Sequence, residues 1–200
     1  MQHLRLQLIF LFAQIVVTNN TMPTPLSTRY AIAADAPAIT AIYNQGITGR
    51  SATFETELRT VDDVLPRIAD TRHPLLVAAD AADSVVGWAG LSSYRSRACY
   101  AGIAEFSIYI DTDARGHGIG RMLLDSLLNA AREAGFWKVL SRVFPFNTAS
   151  LALCRACGFR EVGLYEKHGQ LDGQWLDVVI VERLIPENLA GTNARLPTTP

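Results

Sequence analysis

The stretch Arg115-Gly116-His117-Gly118-Ile119-Gly120-Arg121 decides how this chain is read. It follows an apolar run over residues 103–110. It precedes a segment in which Leu123, Leu124, Leu127, Leu128 and Ala131 recur at helical spacing. Strand, glycine-dense turn and helix start therefore succeed one another. Glycine lets the backbone approach a ligand closely, and the amides at a helix start point outward at anions. With a basic side chain at either end, the turn reads as a seat for a diphosphate. A Walker-type phosphate loop needs Lys and Ser/Thr after its last glycine, and neither is present. The dinucleotide fingerprint needs G-x-G-x-x-G, whereas these glycines run G-x-G-x-G. Glycines before a helix also serve as simple caps, so the turn alone does not assign a ligand.

The chain as a whole sets the bounds. Its 200 residues make one domain with room for a sizeable core. A formal charge of −1 gives no pull toward nucleic acid. Cys99, Cys154 and Cys157 are too few for a disulfide framework and fit a reducing cytoplasm. Cys154 and Cys157 form a C-x-x-C, but it closes a helix before Gly158 instead of opening one after a strand, which speaks against redox use. Without a second pair, no metal site is expected. Residues 4–17 are almost unbroken apolar sequence with Arg5 near the start, similar to a secretory signal. No small-x-small site follows, and the run is short for a membrane span. Residues 1–28 are read as an N-terminal extension, with a natural start expected at Met22. Residues 29–186 are read as the domain and 187–200 as a flexible tail. No membrane partner is expected.

Within the domain the patterns predict a strand at residues 29–32 and a helix from Asp35-Ala36-Pro37 to about Gln45. A short helix follows over 61–71, starting near Thr60. Apolar runs at 75–79 and 85–92 flank an Asp83-Ser84 turn as a hairpin. Next come a strand at 103–110, the glycine turn, and a helix stopped by Gly135. A strand at 137–144, a helix at 148–157 and a last strand at 175–184 complete the set. The expected fold is α/β, a mixed, mostly antiparallel sheet with helices on both faces.

The order of elements and the R-x-x-G-x-G spacing of Arg115, Gly118 and Gly120 resemble the GNAT superfamily of N-acetyltransferases. So do Asn147, Ser150 and the helix ending Cys157-Gly158-Phe159. Further stretches resemble the phosphinothricin and methionine sulfoximine acetyltransferase group. They are Ile42-Tyr43-Asn44, Thr53-Phe54-Glu55-Thr56-Glu57, Arg97-Ala98-Cys99-Tyr100, Ala104-Glu105 with Tyr109, and Gly173-Gln174-Trp175-Leu176-Asp177-Val178. The segment Tyr165-Glu166-Lys167-His168-Gly169 with Asp172-Gly173 is most similar to the arsinothricin resistance branch.

The resemblance implies transfer of the acetyl group of acetyl-CoA to the α-amine of a glutamate-analogue toxin such as arsinothricin, phosphinothricin or methionine sulfoximine. The amides of Arg115, Gly116, His117, Gly118, Ile119 and Gly120 would hold the pyrophosphate. Ile108, Tyr109 and Ile110 would pair with the pantetheine arm like an added strand, which requires the sheet to splay open there. Asn147 and Ser150 would contact the arm, although Asn147 also suits a plain helix N-terminal position. Glu105, flanked by Ala104 and Phe106, is the candidate general base; its plain alternative is a strand carboxylate paired with an arginine. Arg95 and Arg97 alternate along an extended segment, and their forks suit carboxylate, phosphinate or arsinate groups. Phe54 and Tyr43 would wall the acceptor pocket. Cys154 stands where many relatives carry the tyrosine that protonates the departing thiolate, but a packed helix cysteine is the simpler reading. A homodimer with Trp175 near its interface is implied. Other readings are acetylation of a different small amine, a non-catalytic acyl-CoA sensor and, more remotely, a thiol–disulfide protein.

Overall fold

A computed structural model describes residues 26–189. The apolar run 4–17, the start expected at Met22 and residues 190–200 lie outside the described residues. The strands are β1 (Ser27–Tyr30), β2 (Leu75–Ala79), β3 (Val85–Ser93), β4 (Ile103–Ile110), β5 (Lys138–Val143), β6 (Arg160–Leu171) and β7 (Gln174–Leu184). They form one sheet in the order β1-β2-β3-β4-β5-β7-β6. Every neighbouring pair is antiparallel except β4 with β5. Helices α1 (Ala36–Thr48) and α2 (Val61–Ala69) lie on one face, α3 (Ile119–Glu133) and α4 (Thr148–Ala156) on the other. This is the expected mixed, mostly antiparallel sheet with helices on both faces.

Strand alternation divides the core. In β2, buried throughout, Leu76 and Ala78 pack with the leucine stripe of α3, while Leu75 and Val77 join Ile39, Ile42 and Val64 of the opposite helices. A strand covered on both faces reads as an unbroken apolar run, which is why residues 75–79 show no alternation. Thr60 caps α2: its hydroxyl accepts from the Asp63 amide, and the Asp63 carboxylate accepts from the Thr60 amide at 2.8 Å. The expected start near Thr60 has this reciprocal cap as its cause.

Some boundaries differ from the sequence reading. β1 begins two residues earlier than the periodicity suggests. α1 runs past Gln45 to Thr48, because Gly46 is a packing position and not a stop. A Cβ on Gly46 would lie 2.4 Å from Cε1 of Tyr109. β6 carries no apolar alternation, being an edge strand exposed over most of its length. The expected tail begins inside an ordered turn, where Asn188 Nδ2 donates to the Arg132 and Phe136 carbonyls, both at 2.8 Å.

Candidate active site

The site begins where β4 and β5 part. They pair in parallel from Ile103 with Lys138 to Glu105 with Leu140 and no further. One residue on, the Ser141 hydroxyl bridges the widening gap by donating to the Phe106 carbonyl at 3.0 Å. Backbone groups alternate sides along a strand, so the amides and carbonyls of Ile108 and Ile110 also face β5. The Arg115 Nε donates to the Ile110 carbonyl at 3.2 Å. Ile108 keeps a free main-chain donor and acceptor on this edge among the described residues. An extended molecule bearing amides can therefore add here as a strand would. The backbone of Tyr109 faces β3 instead, and its side chain packs on the other face against Trp88 and Tyr43, ring centroids 5.0 and 4.8 Å away. Burial pushes its phenol above the ordinary range.

The open edge leads to the glycine turn. Gly116 and Gly118 have φ of 83° and 80°, in the left-handed region, and a Cβ on either would meet nothing within 4 Å. Gly118 is the N-cap residue of α3 and offers no side chain to cap it. The amides of residues 116–120 have no acceptor among the described residues. Unmatched amides at the start of a 15-residue helix can receive an anion. Gly120 has a different role: a Cβ there would lie 3.3 Å from Leu153 Cδ2, so it lets α3 approach α4. His117 is exposed, its Nδ1 3.3 Å from the Ala114 carbonyl.

Between the parting strands lies a cavity of about 450 Å³. Glu105, Ile108, Tyr109, Asn147 and Ser150 line it, as do Tyr43 and Phe54. The last two come from α1 and the loop after it, residues 49–60, which is pinned over the cavity. Arg50 pairs with Asp172 at 3.0 Å, the Asn147 Nδ2 donates to the Ser51 carbonyl at 2.9 Å, and Asn44 accepts from the Arg59 amide at 2.8 Å. Phe54 stands edge-on to Phe144, and Gly169 on β6 leaves room for it, since a Cβ there would lie 2.9 Å from Cε1 of Phe54.

Glu105 does not have the apolar surroundings that its sequence neighbours suggest. Ala104 and Phe106 point into the core on the α3 side, while the carboxylate faces the cavity and pairs with the Arg142 guanidinium. The arginine-paired carboxylate is thus the arrangement found. It does not exclude a base: Glu105 Oε2 has no partner among the described residues. Sequence reading missed Arg142, along with the cavity residues Ser107 and Ser141. A charged residue beside Ser141 near the end of β5 was the one available signal.

Asn147 has the plain role first: its Oδ1 accepts from the Ser150 amide at 3.1 Å as the N-cap of α4. One Nδ2 hydrogen remains beyond the bond to Ser51 and can face an added arm. Cys154 reaches the cavity wall, but burial, with Cys157 beside it, pushes its thiol up to about 12. Burial and Asp125 push Cys157 up to about 11. A departing thiolate of ordinary pKa, about 8.5, would take the Cys154 proton only uphill, by on the order of 4–5 kcal/mol. Both thiols are free and packed, which suits neither an acid nor a redox pair. Arg95 and Arg97 are exposed on the loop between β3 and β4 and do not line the cavity. Among the described residues no group of side chains could hold a metal, and no helix is long and apolar enough to cross a membrane.

Comparison with known proteins agrees with this geometry. Residues 41–159 match the model of the acetyltransferase (GNAT) family. The L-methionine sulfoximine/L-methionine sulfone acetyltransferase of Pseudomonas aeruginosa is 36% identical over 162 residues, covering 78% of this chain and 92% of that protein. The phosphinothricin N-acetyltransferase of Alcaligenes faecalis is 38% identical over 157 residues, covering 74% and 77%. The crystal structure of a phosphinothricin acetyltransferase from Sinorhizobium meliloti in complex with AcCoA superposes with a TM-score of 0.75 at 34% identity, covering 82% and 89%. A parted β4–β5 seam ending on unmatched helix amides, together with these likenesses, makes the chain a member of the GNAT acetyltransferase family.

Proposed function

We propose that this enzyme moves the acetyl group of acetyl-CoA to the α-amine of a glutamate-analogue toxin of the methionine sulfoximine, phosphinothricin or arsinothricin kind. The observation that carries the reading is the seam itself. One end is the anion site at residues 116–120, and the other is the carboxylate of Glu105. The amides of Gly116 to Gly120 hold the pyrophosphate, Arg115 fixes the end of β4, and the edge of Ile108 orients the pantetheine arm. Acetyl-CoA supplies a thioester carbonyl open to attack by an amine. An α-amine is mostly protonated near neutral pH, and Glu105 removes that proton, directly or through one water. Tyr43 and Phe54 shape the acceptor pocket. Arg95 and Arg97, on the loop that leads into the strand of Glu105, are assigned to the acceptor's distal acid group.

The enzyme is proposed to work in the cytoplasm, where its free thiols persist, and as a homodimer. The unpaired edge of β6, with Val162, Leu164 and Tyr165 exposed and Trp175 beside it, supports the second point. Sedimentation at micromolar concentration tests it, and a monomer would refute it.

The deciding experiment is release of free thiol from acetyl-CoA in the presence of phosphinothricin, arsinothricin, methionine sulfoximine, ordinary amino acids and polyamines. Turnover with at least one glutamate analogue above the other amines is expected. No release with any of them overturns the substrate. The exposed position of Arg95 and Arg97 favours one competing reading, a different small amine. Arg95→Ala with unchanged kinetics toward the preferred acceptor would select it.

A further inference from the structure

Arg142 is the one basic side chain on the cavity wall among the described residues, and no feature of the glycine turn or of the acetyl donor requires it. It stands on the face of β5 that also carries Lys138 and Leu140, two residues beyond the last pairing with β4. The parting of the strands gives its side chain room to reach Glu105. Only Nη1 is engaged there; Nη2 and Nε have no acceptor among the described residues. The Arg142 side chain is 33% exposed and the Glu105 side chain 23%, so the pair is half-buried with one side toward the cavity.

A pair of this exposure contributes little to stability, since desolvation offsets much of the attraction. What it does supply is chemical: a planar donor fork and a carboxylate side by side. An α-amino acid carries the complementary groups, a carboxylate and an amine, on one carbon. A guanidinium edge takes a carboxylate through two parallel hydrogen bonds, which a lysine cannot reproduce.

We propose that Arg142 is the ligand of the acceptor's α-carboxylate, the free edge of its guanidinium holding that group so that the α-amine faces Glu105. Arg142 then confines the enzyme to acceptors with a free α-carboxylate, whatever their side chain. This assignment rests on the proposed acetylation of an α-amino acid and names the residue that selects for it.

The test uses the full chain, acetyl-CoA and thiol release, with methionine sulfoximine and its α-methyl ester as acceptors. Arg142→Ala is expected to raise KM for the free acid by roughly 30- to 100-fold, as for a lost charge-assisted bidentate pair. The wild-type preference for acid over ester collapses in the variant, and the KM for acetyl-CoA stays within about threefold, the scatter of a distant change. Arg142→Lys restores part of the preference and Arg142→Gln does not. The same comparison among these two holds if the alanine variant does not fold. Equal losses for acid and ester, or a fall in kcat with the acid-to-ester ratio unchanged, overturn the assignment and leave Arg142 as a support for Glu105. A wild-type enzyme that releases thiol with no α-amino acid overturns the functional reading first, and this assignment falls with it.

Discussion

Arg142 and Glu105 meet across the gap where β4 and β5 separate, 37 residues apart in sequence and joined through one guanidinium nitrogen. The pairing holds the carboxylate on the cavity side of the sheet, while its neighbours Ala104 and Phe106 are committed to the opposite core. Replacing Glu105 with glutamine keeps the shape and an acceptor for Arg142 but removes the carboxylate proposed as the base. Glu105→Gln is expected to lower kcat by about 10²- to 10⁴-fold with little change in the KM for acetyl-CoA. Steady-state kinetics with saturating acceptor measure this, and a kcat within about threefold of wild type would remove Glu105 from the chemistry.

Gly118→Ala isolates the anion site. At φ 80° an alanine is strained by about 1 kcal/mol or more, and its methyl projects into the open space in front of the unmatched amides. The KM for acetyl-CoA is expected to rise roughly tenfold or more, with the acceptor KM unaffected. If both constants moved together, the turn would be acting on the fold as a whole and not on the donor.

The cysteines should separate cleanly in a thiol titration. Cys99 is exposed, whereas burial raises Cys154 to about 12 and Cys157 to about 11. A colorimetric disulfide reagent near pH 8 is expected to find one reactive thiol in the native protein and all three after denaturation. Fast reaction of a second thiol in the native protein would contradict this packing and reopen the redox reading.

Asp35 provides a pH test of stability. The Arg29 guanidinium bonds both its oxygens, at 2.6 and 2.9 Å, and holds its carboxyl below the usual carboxylate range; the Ile32 amide adds to this. A group whose folded pKa is depressed stabilises the fold above its unfolded value, about 3.9, and loses that contribution as pH falls through the folded value. Asp35→Asn is expected to cost about 2 kcal/mol at neutral pH, a fall in Tm of roughly 4–8 °C. Thermal melts should show the difference from wild type narrowing below about pH 4. A difference that stays constant through the acid range would mean that the charge on Asp35 is not its source.

Several features were legible because they are local. The glycine turn, the strand before it and the leucine stripe after it lie within 29 residues, 103–131. Their spacing alone specifies a strand, a glycine turn and a helix. Glu105 was legible as a strand carboxylate next to that turn, and Tyr43 and Phe54 as candidate walls that do line the cavity. β6 was not legible, since an exposed edge strand has no face whose burial would write an alternation into it. The full length of α1 was not legible either: Gly46 lies inside the helix and admits the ring of Tyr109, a contact made 63 residues away in sequence.

By itself, then, the sequence determined the strand, the glycine turn and the helix after it, because backbone conformation and helix-end amides depend on neighbours along the chain. The partner of Glu105, the open edge of Ile108 and the exclusion of Arg95 and Arg97 from the cavity wall were decided only by the tertiary structure. Each depends on which strands lie side by side and where their pairing stops. That is set by packing the two helix pairs on opposite faces of the sheet, a long-range balance with no local period to announce it.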